Sequence, residues 1–169
     1  MHPMSRGWRT LVCAVACAAV WAGSLDDHVL ADQNVKACAL DGTSVMAFGT
    51  YDPLSNGHLD AQGQVSYRCY NQNGSDRTAI TVRISLSQGS AGTFQRYMPG
   101  GRDTLRYNLY TDAQRLIIWG DGTSGTAVYS EAAQPNNQVE TVPVFGRVFG
   151  GQDVSADQYL DNLVVTLNF

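Results

Sequence analysis

The chain has 169 residues, with 11 Lys and Arg against 15 Asp and Glu, a formal net charge of −4. Its one lysine, Lys36, stands alone and no basic run occurs, so no nucleic-acid partner is expected, because phosphate neutralisation needs clustered cations.

Residues Met1 to Arg9 carry Arg6 and Arg9 and no acid, and the apolar run from Leu11 to Trp21 follows. A basic start, a short apolar stretch and small residues after it read as a secretory signal peptide. The run falls short of the ~20 apolar residues of a membrane-spanning helix, which disfavours an uncleaved anchor. Cleavage after Ser24 is preferred because it lies nearer the apolar run, and Ala31 is the alternative. The expected organisation is a signal over 1–24, an N-terminal extension over 25–37 and one domain over 38–169. Without residues 1–24 the balance becomes 9 basic to 15 acidic, a net charge of −6. Cys13 and Cys17 leave with the signal. Cys38 and Cys69 remain, and an even pair in an oxidising compartment reads as one disulfide. In the chain-entropy model such a loop closure stabilises by about 3–4 kcal/mol.

From Ala37 onward the pattern is period-2 alternation, punctuated by turn residues. Val65, Tyr67 and Cys69 share a face, as do Ile80, Val82, Ile84 and Leu86, and then Leu105, Tyr107 and Leu109. Val142, Val144 and Val148 share another, with Gly146 as a gap, and Leu163, Val165, Leu167 and Phe169 close the chain. Side chains two apart lie on one face of a strand, so each run offers one apolar face. The continuous run Leu116-Ile-Ile-Trp119 reads as a strand covered on both sides. Asn56-Gly57, Pro99-Gly100-Gly101, Gly120-Asp-Gly122 and Gly150-Gly151 mark turns. Many short strands at this spacing predict an all-β sandwich or barrel.

Catalytic chemistry finds little support. His58, in the turn after Asn56-Gly57, has no Gly-x-Ser-x-Gly elbow to work with and reads as a solvated loop residue. Asp112 and Asp121 are the least implausible carboxylate pair for glycoside hydrolysis, but Asp also favours turns for local reasons. One His and an oxidised Cys pair supply no zinc ligand set, and the Gly120–Gly125 stretch lacks the ending of a phosphate loop. No enzyme activity, metal or cofactor is expected. Asn73-Gly-Ser75 fits the glycosylation sequon, a weak signal.

Longer motifs are more specific. Phe48-Gly49-Thr-Tyr51-Asp52-Pro follows Cys38 by about ten residues. Gly63-Gln-Val-Ser-Tyr-Arg-Cys69 comes next. Leu105-Arg-Tyr107-Asn-Leu109-Tyr110-Thr-Asp112 then leads to Trp119-Gly120, and Tyr159 to Phe169 closes the chain. In this order, over about residues 38–169, they resemble the spore coat protein U family, which includes subunits of archaic, Csu-type chaperone–usher pili. The resemblance implies an immunoglobulin-like β-sandwich lacking its last strand, completed by strand addition. Its implied partners are a periplasmic chaperone, an outer-membrane usher and other pilin subunits, with passage through the periplasm to a surface fibre that serves adhesion or biofilm. On this reading the strand Leu163, Val165, Leu167 and Phe169 faces the partner. Val29, Ala31 and Val35 are the residues available for a donor strand. The extension over 25–37 is short and polar for that role. Another class of function is a self-contained secreted binding module, for sugar among other ligands, using Tyr110, Trp119 and Tyr129.

Overall fold

A computed structural model describes residues 35–72 and 74–169. The signal, its two cleavage sites, Val29, Ala31 and Asn73 lie outside the described residues.

The alternating runs become strands because their apolar faces have a common core to enter. β1 (Lys36–Thr43), β2 (Leu59–Asn71) and β3 (Ile80–Leu86) are followed by a 3₁₀ turn at Gly89–Ala91. β4 (Tyr97–Gly100), β5 (Asp103–Tyr110), β6 (Tyr129–Ala133), β7 (Asn136–Val148) and β8 (Val165–Asn168) complete the order. Five strands form one sheet in the order β1-β2-β7-β5-β4, and three form the other in the order β6-β3-β8. Every pairing is antiparallel. The result is the all-β sandwich that the alternation predicts. Among the described residues no helix is long and apolar enough to cross a membrane.

The spine is the long ladder of β2 with β7, in one register from Leu59 opposite Val148 to Arg68 opposite Val139, with a shift before Tyr70 opposite Asn136. Its inner face carries Val65, Tyr67, Val142 and Val144, all buried, and packs with Val82, Ile84 and Leu86 of β3. At ~25 cal/mol per Å² of apolar area, each such side chain contributes about 1.5–3 kcal/mol. Cys38 and Cys69 face each other across β1 and β2 and are joined by a disulfide.

One expectation is corrected. Leu116 to Trp119 is not a strand covered on both sides: Leu116 is 80% and Ile117 48% exposed. The Asp112 carboxylate accepts the N–H of Leu116 at 3.0 Å and of Ile117 at 2.7 Å, which turns the chain back. Arg115, at φ 60°, completes the bend. Only Ile118 and Trp119 re-enter sheet contacts, as single bridges to Tyr110 and Ala127.

Candidate functional site

The sandwich is open along one side, where a groove of about 950 Å³ lies between the sheets. Its floor is the inner face of the larger sheet: Val65 from β2, Val144 and Val148 from β7, and Leu105, Tyr107 and Leu109 from β5. The segment 43–51 forms one flank, and the stretch 154–165 that leads into β8 forms the other.

The first flank is a strap anchored at both ends. Ser44 N–H donates to the Gln64 carbonyl at 3.0 Å, and Gln64 N–H donates to Ser44 Oγ at 2.7 Å. At the far end Tyr51 Oη accepts the Gln152 N–H at 2.7 Å. Gln152 is itself buried, and its carboxamide pairs with both the N–H and the carbonyl of Arg106 on β5. Between the anchors Met46 and Phe48 turn inward while Val45, Ala47 and Gly49 stay exposed. Phe48 meets Tyr107 edge to face, ring centroids 6.0 Å apart.

Two glycines make room for this strap. A Cβ on Gly146 would stand 2.1 Å from Met46 Sδ and 2.7 Å from the Phe48 ring, and one on Gly63 would stand 2.9 Å from Ser44 Oγ. The gap in the valine face of β7 is therefore the seat of Met46 and Phe48. From Val45 to Tyr51 no backbone–backbone hydrogen bond joins the strap to any described residue.

The second flank is stapled by Asp161. Its Oδ2 accepts the Tyr107 hydroxyl at 2.6 Å, and its Oδ1 accepts the N–H and hydroxyl of Ser90 at 2.9 and 2.6 Å. Burial, and then this bond to Asp161, push the Tyr107 phenol well above its ordinary range. Leu160 N–H reaches the Pro99 carbonyl at 3.2 Å, which also covers the outer edge of β4.

β8 supplies the most informative geometry. Ser87 N–H donates to the Val164 carbonyl, and Val164 N–H donates to Ser87 Oγ, so both backbone groups of Val164 face β3. Leu86, opposite Val165, sends its N–H the other way, to the Gly120 carbonyl. Neighbouring residues of a strand offer their N–H and C=O to opposite edges. Thr166 and Asn168 therefore face β3, whereas Leu163, Val165 and Leu167 present both groups to the open edge. Those three are also the half-buried residues of the segment, and Phe169 is 57% exposed. One set of residues thus offers apolar side chains inward and, sideways, main-chain groups with no partner among the described residues.

The other motif residues build the frame. Asp52 Oδ1 caps the turn at Leu54 N–H, 2.9 Å, and Gly49 has φ 82°, a left-handed conformation that glycine adopts without strain. Trp119 is fully buried and its indole N–H donates to the Ile84 carbonyl at 2.8 Å, tying the hairpin to the smaller sheet. A Cβ on Gly120 would stand 2.3 Å from Thr126 Oγ1 and 2.7 Å from the Phe94 ring. Tyr110 is buried and Tyr129 packs against Trp119, so these aromatics form no exposed sugar platform. His58 Nδ1 accepts the Gly150 N–H at 3.0 Å, and Asp121 closes its own turn on Thr123. Among the described residues no cluster of three or more His, Cys, Asp or Glu could hold a metal. Sequence reasoning missed Met46 and Gln152, and it held Gly63 and Asp161 only as members of longer motifs; the Gly146 gap signalled that something fills the β7 face.

Fold and groove together define an immunoglobulin-like all-β sandwich domain, open along one side between the strap that follows β1 and the stretch that leads into β8. The chain belongs to the spore coat protein U domain family, whose model matches residues 27–166. It is 32% identical over 187 aligned positions to Protein U of Myxococcus xanthus, covering 95% of this chain and 98% of that one. Among solved structures it resembles a chain of the CsuC–CsuE chaperone–tip adhesion subunit pre-assembly complex from archaic chaperone-usher Csu pili of Acinetobacter baumannii. The TM-score is 0.51 at 18% identity, over 80% of this chain. The match spans 40% of that solved chain, and the likeness is one of fold.

Proposed function

We propose that this protein is a non-enzymatic structural subunit of a bacterial surface assembly, pilus or coat, and that its groove receives a β-strand from another chain. The observation that carries this reading is the double role of Leu163, Val165 and Leu167, apolar inward and, among the described residues, unpaired sideways, opposite a strap whose backbone from Val45 to Tyr51 is likewise unpaired among them. A small ligand would leave most of those main-chain groups to water. A strand bonds with them in register while its alternate side chains fill the groove. A sheet edge of this kind is otherwise an aggregation hazard, which supports a chaperone covering it in transit and a neighbouring subunit afterwards. Family membership and the fold likeness to a chaperone-bound adhesion subunit support the same route, through the periplasm and an outer-membrane usher to the cell surface.

Proline supplies the sharpest test, because it removes one N–H. Leu167→Pro removes an N–H that faces the open edge; Thr166→Pro removes one that faces β3. The measurement is the yield of one-to-one subunit–chaperone complex from a periplasm expressing the chain with a pilus chaperone. Leu167→Pro is expected to lower the yield of complex at least tenfold while the complex that is recovered keeps its far-UV β signal; Thr166→Pro loses that signal as well. Full complex formation by Leu167→Pro, or a wild-type chain that stays monomeric and soluble alone, would count against strand addition at this edge.

A further inference from the structure

We infer that the strand completing the groove comes from a different polypeptide, one with large apolar residues at every second position, and that a second copy of this chain does not supply it. The inference rests on the strand-accepting groove proposed above.

The open edge from Leu163 to Leu167, continued by Phe169, spans seven residues, about 20 Å at ~3.3 Å per residue. A strand matched to it needs three or four successive alternate side chains that are apolar and large. With residues 1–24 taken to leave as the expected signal, the chain's own residues ahead of β1 do not provide them. One face of 25–35 reads Leu25, Asp27, Val29, Ala31, Gln33, Val35; the other reads Asp26, His28, Leu30, Asp32, Asn34. Neither holds three consecutive apolar positions, the longest run being Val29 and the small Ala31, and every register of three or more positions buries Asp27 or Gln33 on the first face and Asp26 or Asp32 on the second. An unpaired carboxylate or amide in an apolar groove is strongly disfavoured.

Two further observations agree. The Val35 carbonyl accepts the Gln72 N–H at 3.0 Å, and Lys36 Nζ bonds Asp76 at 2.7 Å, so the chain is tied to its own domain from Val35 onward. The charged residues lining the groove are Asp157 and Asp161, with no Lys or Arg among them. A segment carrying Asp26, Asp27 and Asp32 therefore meets like charge, while a strand with neutral or basic residues between its apolar ones does not.

The test uses two labelled peptides: residues 25–37 as they stand, and the same peptide with Asp27→Val, Ala31→Ile and Gln33→Val. Fluorescence anisotropy with the full secreted chain gives the two affinities. Because the free chain can aggregate, each sequence is also fused behind Phe169 through a flexible linker, and soluble yield and Tm are measured. The substituted peptide is expected to bind more than tenfold more tightly, and only its fusion to raise yield and Tm. Affinities within tenfold, or equal gains from both fusions, overturn the inference and leave the groove reading standing. No binding by either peptide and no gain from either fusion overturn both together.

Discussion

Arg96 is 1% exposed, yet its hydrogen-bond partners are neutral. Its guanidinium donates to the Ser87 carbonyl from Nε and Nη2, to the Trp119 carbonyl from Nη2 and to Asn108 Oδ1 from Nη1, and it lies 5.1 Å from the Phe94 ring centroid. One side chain thereby ties the end of β3, the Trp119 hairpin and β5 together. Removing it leaves several buried acceptors without donors, which cost about 1–3 kcal/mol each. Arg96→Met is expected to lower the unfolding free energy of the strand-completed domain by about 3–5 kcal/mol, read from urea denaturation. Tyr67 is the opposite case. Its hydroxyl is buried with no partner among the described residues, and burial, with Glu131 and Glu140 adding to it, raises the phenol to about 12. Tyr67→Phe removes a polar atom that makes no bond, so an unchanged or slightly raised Tm is expected; a fall of several degrees would reveal an unseen partner.

At the scale of elements, the strap over 43–51 and the glycines beneath it are the least regular part of the fold. Gly146→Val would drive a side chain into Met46 and Phe48 and is expected to unseat the strap. Limited proteolysis should then cut between Val45 and Tyr51 at least tenfold faster than in the unaltered chain, with the β2–β7 ladder still protected. The regular elements were open to sequence reasoning because each buries one face, and period 2 records that directly: β3, β5 and the inner valines of β7 emerged with their faces correct. The strap was not, since Ser44 to Tyr51 makes no ladder and its alternation, Met46 and Phe48, is only two residues deep. Leu116 to Trp119 was misread for a different reason. A carboxylate at Asp112 overrode an apolar run, and hydrophobic pattern alone does not register side-chain capping. The groove was legible only through family resemblance, because no periodicity distinguishes a terminal strand with one neighbour from one with two.

For the whole molecule, acid should weaken the outer face of the larger sheet. Asp60 accepts a two-pronged bond from Arg147 at 2.7 and 2.8 Å, and Arg115 approaches at 3.3 Å. The Arg147 bond holds the Asp60 carboxyl below its usual range despite some burial. A depressed carboxylate contributes stability that is complete above its unfolded value near ~4 and is lost as pH falls through the lower folded value. Tm should thus be level from pH 7 to 5 and decline below about 4, with a shallower decline in Asp60→Asn; an identical decline in both would exclude this pair. The disulfide has a different consequence at this scale, a mechanical one. Tension entering the domain ahead of Val35 can peel only Val35 to Ala37 before it meets the covalent link from Cys38 to Cys69. There the load passes sideways into β2, near the Tyr70–Asn136 end of the longest ladder, and the rest of β1 is spared. In an oxidised chain the first strand is therefore a rivet rather than a zipper, and a reductant alone would change how far the subunit stretches before it yields.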